Sequence, residues 1–592
     1  MLPSPWHPWL VLGTIALTIF LLYKEYVRPA LTFFLAVIVL LAAGVLTTGE
    51  VLAGFSNESI ATIVLLVVLT ATLRKNYTLE ALLDRLFRRA NTVRSFLWQM
   101  TISMALFSSI LNNTPIVAMM TPYVYQWGQQ HRVPPSRLLI PLSYATMLGG
   151  MITLIGTSTN LVLNGFLAQS GEPLLTFADF FPLGVLVSIT GILYLILFGY
   201  RLLPRNMDAL TDLKANAREY LVETQIVNGS PLVGKTVSGA GLRNLRGVYL
   251  VEIDRNGETI SPVAPDETLH HGDLLLFAGN TDTVVDLINA DNGLVPHQGS
   301  TQATEGLEVC EAVIPANSAL AGRIVRESDF RSRYRAAIVA VHRNGERLRG
   351  KIGNLRLQSG DLLLLSAGPD FRRNLRQHRD LYVISRFDDP HQARKNPRRR
   401  LFLPVLGGVV ALLVVGVVPL FAALLMLLGA AFGLRMLTLE DVKKEVDISM
   451  VGVLVFSLAL GSALIKTGAA DLIAGVFMQG VSPLGTVGLV TGLFVLTVVL
   501  TSFVTNVAAV SIAFPIAYAL GHETGLPHTA LYLTVAFAAS CAFLTPIGYQ
   551  TNLMVYGPGG YTFRDFFRVG LPLVVIYFAT CMAYLFGRYP LL

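Results

Sequence analysis

The chain has 592 residues, of which 53% are apolar and only 14% charged, with a mean hydropathy of +0.57. So much apolar surface cannot be hidden inside one soluble core, which excludes an ordinary water-soluble enzyme or binding domain and makes this an integral membrane protein. The net charge of +7 calls for no nucleic-acid partner, because Lys and Arg gathered on cytoplasmic loops explain much of it.

The apolar stretches divide the chain into a membrane half (1–202), a polar, strand-like insert (203–299 and 300–386), a basic linker (387–400) and a second membrane half (401–592). The first apolar run begins at Trp9 after no Lys or Arg and before no small-residue cleavage site, so it is read as a retained span. In the first half spans are expected near 9–23, 29–47 and 58–73, followed by an amphipathic piece at 79–89, a hairpin over 95–128, a span broken at 154–158 and a last span near 180–200. The second half repeats this near 402–417, 419–434 and 449–466, with a hairpin over 483–519, a broken span over 529–556 and a last span near 566–587. Five crossings per half turn the second copy upside down. Lys24, Arg74, Lys75, Arg132, Arg137, Arg201, Arg435, Lys443, Arg564 and Arg568 then share the cytoplasmic side, with both chain ends outside and the insert inside. The expected location is a cell membrane, the inner membrane of a bacterium. Cys310, Cys541 and Cys581 have no metal-like spacing and indicate no disulfide framework.

Three echoes join the halves in the same order. SSILNNTPIVAMMTP (108–122) aligns without gaps on TSFVTNVAAVSIAFP (501–515). IGTSTNL (155–161) matches IGYQTNL (547–553) at five of seven positions, and TFADFFPLG (176–184) matches TFRDFFRVG (562–570) at six of nine. Paired Gly- or Pro-interrupted hydrophobic segments in two halves are the sequence pointer to a secondary transporter's midplane site. Irregular backbone survives in hydrocarbon only where protein, water or a ligand satisfies it, so the two Asn-bearing tips and the two broken spans are expected to meet. Helix N-termini there offer N–H groups to an anion, and freed carbonyls suit Na+. With no Lys or Arg in mid-span, co-bound Na+ is the natural compensation for a dianion. For any one of these residues taken singly, interhelical hydrogen bonding or close packing explains it as well.

At these residues the chain resembles the divalent anion/sodium symporter family, carriers of sulfate or dicarboxylates with Na+. The resemblance covers both membrane halves and implies a polytopic α-helical protein of two inverted five-span repeats with re-entrant hairpins and discontinuous helices. It implies elevator transport, a homodimer, and no enzymatic activity. The family's Ser-Asn-Thr tips fall on Asn112-Asn113-Thr114 and Thr505-Asn506-Val507. Only the central Asn is kept in both, and the lost hydroxyls speak against a dicarboxylate. LIGTSTNLV and TPIGYQTNLMVYGPGGY look like the sulfate-type branch, so sulfate is the expected substrate. Carried over by position, one Na+ site uses Ser108, Asn113, Gly156, Thr157 and Asn160, and the other Thr501, Asn506, Gly548 and Asn552. Substrate lies between Asn112, Asn113, Thr114, Thr505 and Asn506. Na+ is the co-transported ion, and no organic cofactor is expected.

The insert carries its own duplication at an offset of 88 residues: Gly234/Gly322, the RNGE strings at Arg255 and Arg343, and Gly272-Asp273/Gly360-Asp361. Apolar runs separated by Asn-Gly turns predict strands and hairpins. Each copy resembles the TrkA-C module, the C-terminal regulatory domain of potassium-transport proteins, which implies dimerisation or binding of a small regulator, though a fold-level likeness transfers no ligand. Other functions stay open: a dicarboxylate or tricarboxylate carrier, H+ in place of Na+, an anion-sensing receptor, or a K+ uptake protein. The last lacks a TVGYG-like filter.

Overall fold

In the computed structural model of the chain, the described residues are 5–24, 29–76, 87, 90, 92–206, 221–242, 245, 248–256, 258–260, 263–279, 293–296, 309–315, 318–334, 336–343, 346–348, 352–367, 371, 380–383, 399–415 and 417–591. The expected amphipathic piece at 79–89 and the linker up to Arg398 lie almost wholly outside them. The protein is a mostly helical membrane protein with several apolar spans and a β-rich insert.

The first half consists of α1 (His7–Lys24), α2 (Pro29–Ala42), α3 (Thr48–Ala53), α4 (Glu58–Asn76), α5 (Val93–Ser108), α6 (Asn113–Gln130), α7 (Leu139–Gly150), α8 (Ser158–Ser170) and α9 (Phe177–Tyr194). After the insert come α10 (Arg399–Val414), α11 (Leu420–Gly433), α12 (Leu439–Glu445), α13 (Ile448–Lys466), α14 (Ala469–Val481), α15 (Gly485–Phe503), α16 (Asn506–Thr524), α17 (His528–Ser540), α18 (Gln550–Tyr556) and α19 (Phe563–Arg588). Five stretches among the described residues are long and apolar enough to cross a membrane: Thr48–Leu73, Phe177–Leu202, Ile448–Lys466, Gly485–Phe503 and Phe563–Arg588. Every residue of α7 is buried, as is every residue of α17 from Ala530 onward; a helix apolar all round belongs in an interior. Around this pair α5 packs on α7, α15 and α16 on α17, and α9 on α19, while α2 packs on α13 and α4 on α11.

The echoed TFADFF and TFRDFF strings are helix starts. Thr176 and Asp179 form a capping box opening α9, and Thr562 and Asp565 one opening α19, so orphan N–H groups are satisfied reciprocally. The glycines closing both echoes allow close packing. A Cβ on Gly184 would stand 2.4 Å from the Met151 carbonyl oxygen, and one on Gly570 2.1 Å from that of Phe543. Both α9 and α19 therefore rest on the backbone where α7 and α17 end.

The insert has two antiparallel sheets. The first contains β1 (Leu221–Ile226), β2 (Val248–Arg255), β3 (Glu258–Ile260), β4 (Leu274–Gly279) and β5 (Leu294–Pro296). The second contains β6 (Val309–Val313), β7 (Ala336–Arg343), β8 (Glu346–Arg347), β9 (Leu362–Ala367) and β10 (Tyr382–Val383). Their orders, β3-β2-β4-β1-β5 and β8-β7-β9-β6-β10, correspond strand for strand, and the register shift between Leu250 and Glu252 recurs between Ile338 and Ala340. The duplicated Arg and Asp explain themselves. Arg255 grips the fully buried Asp273 with Nε and Nη2, both at 2.9 Å, and Arg343 grips Asp361 at 2.7 and 2.8 Å. Removing one partner strands a buried carboxylate. Arg343→Ala is expected to cost about 3–5 kcal/mol, read in the full chain as lost hydrogen-exchange protection of β6, β7 and β9. The exposed Arg326→Ala should change nothing.

The second sheet is seated on the membrane region. Tyr125 of α6 donates its hydroxyl to Glu311 of β6 at 3.1 Å, Val313 and Leu362 join the membrane core, and a Cβ on Gly557 would lie 2.7 Å from the Gly360 carbonyl oxygen. Among the described residues its contacts include α6 and the end of α18.

Candidate functional site

The site is built where four helices are interrupted. Between α5 and α6 the chain leaves helical geometry at Asn112, whose extended backbone lets its side chain cap Thr114 N–H at 3.4 Å. Between α15 and α16 Thr505 does the same for Ala508 N–H at 3.3 Å. The spans break over 151–157, after α7, and over 541–549, after α17. The second break begins where α17 stops at Ser540, and α18 beyond it is seven residues long, ending before Gly557.

In the first half Ser108 donates its hydroxyl to the side-chain oxygen of Asn113, which is buried. The Asn160 amide donates to the Thr153 carbonyl at 3.1 Å, Gly156 N–H donates to the Thr153 hydroxyl at 3.1 Å, and that hydroxyl donates to the Ser109 carbonyl. Thr157 caps α8 by accepting from Thr159 N–H at 3.4 Å. The second half makes the corresponding set. Thr501 donates to Asn506 Oδ1 at 3.0 Å, the Asn552 amide to the Thr545 carbonyl at 3.1 Å, Gly548 N–H to the Thr545 hydroxyl at 3.1 Å, and that hydroxyl to the Ser502 carbonyl at 2.7 Å. Gly156 lies against the Ser108 carbonyl and Gly548 against that of Thr501, since a Cβ on either would stand 2.7 or 2.8 Å from that oxygen. Each set of expected Na+-site residues is thus gathered by its own half.

The two halves touch across the site. The Asn113 amide donates to the Tyr549 hydroxyl at 2.9 Å, and Thr114 donates to Gln550 Oε1 at 3.2 Å. Ser143 of α7 donates to Asn552 Oδ1 at 2.7 Å, and α8 packs on α16. Asn113 and Asn506 are buried, whereas Thr505 and Gln550 are exposed, so the amides brace the bends and the tips face outward. Thr505 and Asn506 bond within their own half; only the first tip, through Asn113 and Thr114, bonds to Tyr549 and Gln550 of the other half. Thr153, Thr545 and Ser143 were not expected at the site. Thr153 and Thr545 stand two residues before the matched heptapeptides and are identical in both halves, which was the available signal.

Chemically, the site offers amide and hydroxyl groups, the N-termini of α6, α8 and α16, and inward-facing carbonyls. Residues 108–115, 150–160, 501–508 and 541–552 contain no charged side chain.

The sequence matches the citrate transporter family model, CitMHS, over residues 15–519 and again over 410–591. The chain belongs to that family. It is a multi-pass transporter and not an enzyme. It is 34% identical over 91% of its length to a Chlamydomonas reinhardtii protein named "Putative sulfur deprivation response regulator", 94% of which is covered. It is 30% identical over 96% of its length to an uncharacterized transporter of Synechocystis, covering 95% of that chain. Sodium/sulfate cotransporter 1 of Chlamydomonas reinhardtii is 29% identical over 60% of this chain and 43% of its own.

Proposed function

We propose that the chain is a sodium-coupled symporter of a divalent inorganic oxyanion, sulfate first, working as an elevator between two inverted halves in a homodimer. The observation that carries this reading is the pair of corresponding hydrogen-bonded bends around Asn113 and Asn506, which hold polar backbone in apolar surroundings without a charged side chain. A helix N-terminus is worth about 0.3–1 kcal/mol to an anion, up to about 2 in favourable settings. A cation about 4 Å from an anionic charge supplies about 4 kcal/mol at an effective dielectric of about 20. Dipoles alone are therefore too weak for a dianion, and Na+ ions travelling with it supply the larger share. The Na+ sites are Ser108, Asn113, Gly156, Thr157 and Asn160, and Thr501, Asn506, Gly548 and Asn552. The oxyanion binds between Asn112, Asn113, Thr114, Thr505 and Asn506, with Gln550 beside them.

Inverted halves are supported by which residues pair. Glu50 meets Lys466 at 2.8 Å and Lys75 meets Asp441 at 2.7 Å. Glu50 and Lys466 both fall outside, and Lys75 and Asp441 both inside, in the topology derived from Lys and Arg. Tyr561 meets Ser136, and Tyr125 meets the insert, again joining residues assigned to the cytoplasmic side. In this reading the insert, as two TrkA-C-like modules, is cytoplasmic and acts on α6, supported by the Tyr125–Glu311 bond.

The relative named for sodium and sulfate favours sulfate; the description of the family model favours a tricarboxylate as the second reading. Uptake of labelled sulfate into proteoliposomes is expected to rise at least about fivefold with an inward Na+ gradient, a coupling of about 1 kcal/mol. Excess unlabelled citrate or succinate should leave it unchanged. Uptake indifferent to Na+ at constant pH and potential would remove the coupling, and competition by citrate would turn the assignment to the second reading.

A further inference from the structure

Away from the bends, one group of side chains has the composition and spacing of a metal site. Glu172 follows the left-handed Gly171 that ends α8, and its N–H is held by the Leu167 carbonyl at 3.0 Å. His522 stands in the last turn of α16, and His528 opens α17 after Pro527. Glu172 Oε1 lies 3.3 Å from His522 Nε2, and Glu172 Oε2 lies 3.0 Å from His528 Nδ1. The ligand atoms of all three lie within 4.8 Å of one another, the single such group of His, Cys, Asp and Glu among the described residues.

We propose that Glu172, His522 and His528 form a binding site for a divalent transition-metal cation of the Zn2+ class. Two ligands each about 2.0–2.1 Å from a tetrahedral ion stand roughly 3.3–3.4 Å apart; Glu172 Oε1 and His522 Nε2 lie at that separation, 3.3 Å, while the 3.0 Å between Glu172 Oε2 and His528 Nδ1 is a hydrogen bond that a bound ion replaces by a small shift of the carboxylate. Two imidazole nitrogens and one carboxylate select Zn2+, Co2+, Ni2+ or Cu2+ over Mg2+ and Ca2+, which take oxygen ligands. The fourth position opens to solvent because the His522 side chain is 50% exposed.

The rings are held in place before any ion arrives. The His522 ring lies 4.4 Å from that of Tyr518 and 4.7 Å from that of His528, and His528 lies 5.9 Å from Tyr532. Gly521 makes room for His528, since a Cβ there would stand 2.7 Å from its Cδ2. Below them the buried Tyr532 hydroxyl lies near the Glu172 carboxylate but short of ordinary hydrogen-bond geometry. A bound ion ties the end of α8 to the turn between α16 and α17, the far ends of helices whose other ends build the bends. The site is independent of what the transporter carries.

The test uses the purified full chain in detergent, stripped with chelator and titrated with ZnCl2, CoCl2 or MgCl2. Zn2+ is expected to raise the unfolding temperature where Mg2+ does not, and Co2+ to give the visible absorption of a tetrahedral ion. Glu172→Gln, His522→Ala and His528→Ala should each weaken Zn2+ binding by at least about tenfold. If His528→Ala fails to fold, His522→Ala carries the test, because its half-exposed ring supports little packing. No Zn2+-dependent shift in the wild type, or Zn2+ affinity and Co2+ absorption unchanged in His522→Ala and Glu172→Gln, overturns the proposal.

Discussion

Asn113→Ala and Asn506→Ala are each expected to lower Na+-driven uptake at least tenfold while leaving membrane insertion intact. Asn113 links three elements: it accepts from Ser108 at the end of α5, opens α6, and donates to Tyr549 in the other half's break. Truncation leaves the Ser108 and Tyr549 hydroxyls in buried surroundings without that partner, at about 1–3 kcal/mol for each. About 1.4 kcal/mol is a factor of ten in an equilibrium constant, so the loss of a correctly shaped bend alone suffices for the predicted fall. Asn506 holds Thr501 at 3.0 Å, and Thr501 also donates to the Ala539 carbonyl at 2.6 Å where α17 ends. Its replacement should loosen the second bend with less direct effect on the first. Uptake in proteoliposomes, normalised to protein inserted, checks both. Wild-type rates in the two variants would mean that the bends serve packing only. Asn506→Asp keeps the side-chain oxygen facing Thr501 but adds a negative charge, and should impair oxyanion uptake more than Na+ binding.

Much of the helical framework was legible because apolar runs and breaks are local properties of the chain. The first break was expected at 154–158 and is found over 151–157. Lys75 and Lys466 at span ends gave no hint that they pair with Asp441 and Glu50, the acids of two short capped helices, α12 and α3. The T-x-x-E and T-x-x-D boxes that start those helices are in the sequence, but the loops around them are brief and read as connections. Helix α14 was not expected at all. Gly468, at a φ of 72°, ends α13 in left-handed geometry, and α14 buries only Ala469, Ala470 and Ala474, too thin a stripe to stand out beside longer spans. The echoes paired like with like, tip with tip and break with break. Two cross-half hydrogen bonds join unlike elements, the tip of the first half to the break of the second, so Asn113–Tyr549 and Thr114–Gln550, each spanning 436 positions, could not be read from the echoes.

The other large effect is expected at the glycines of the two breaks. A Cβ on Gly156 would stand 2.5 Å from the Gly150 carbonyl oxygen and 2.7 Å from that of Ser108; on Gly548 it would stand 2.8 Å from the Thr501 oxygen, with Ala542 Cβ and Thr545 Oγ1 at 3.2 Å. The nearest obstacles are backbone atoms, which cannot swing aside as a side chain can, so an added methyl must move the break or the helix end opposite. Such overpacking costs about 1–3 kcal/mol, and Gly156→Ala, which meets two carbonyls, should cost more than Gly548→Ala. These carbonyls belong to Ser108 and Thr501, whose hydroxyls hold Asn113 and Asn506. The displacement is therefore delivered to carbonyl oxygens of the proposed Na+ sites. The half-saturating Na+ concentration should rise in both variants, more in Gly156→Ala, while Gly408→Ala, with nothing within 4 Å of the added carbon, should behave as wild type. An unchanged Na+ dependence in Gly156→Ala would separate the breaks from cation binding and leave them as packing joints. A raised Na+ requirement with near-normal thermal stability would place the methyl's effect on the ion site itself, because a purely structural penalty lowers thermal stability together with Na+ affinity.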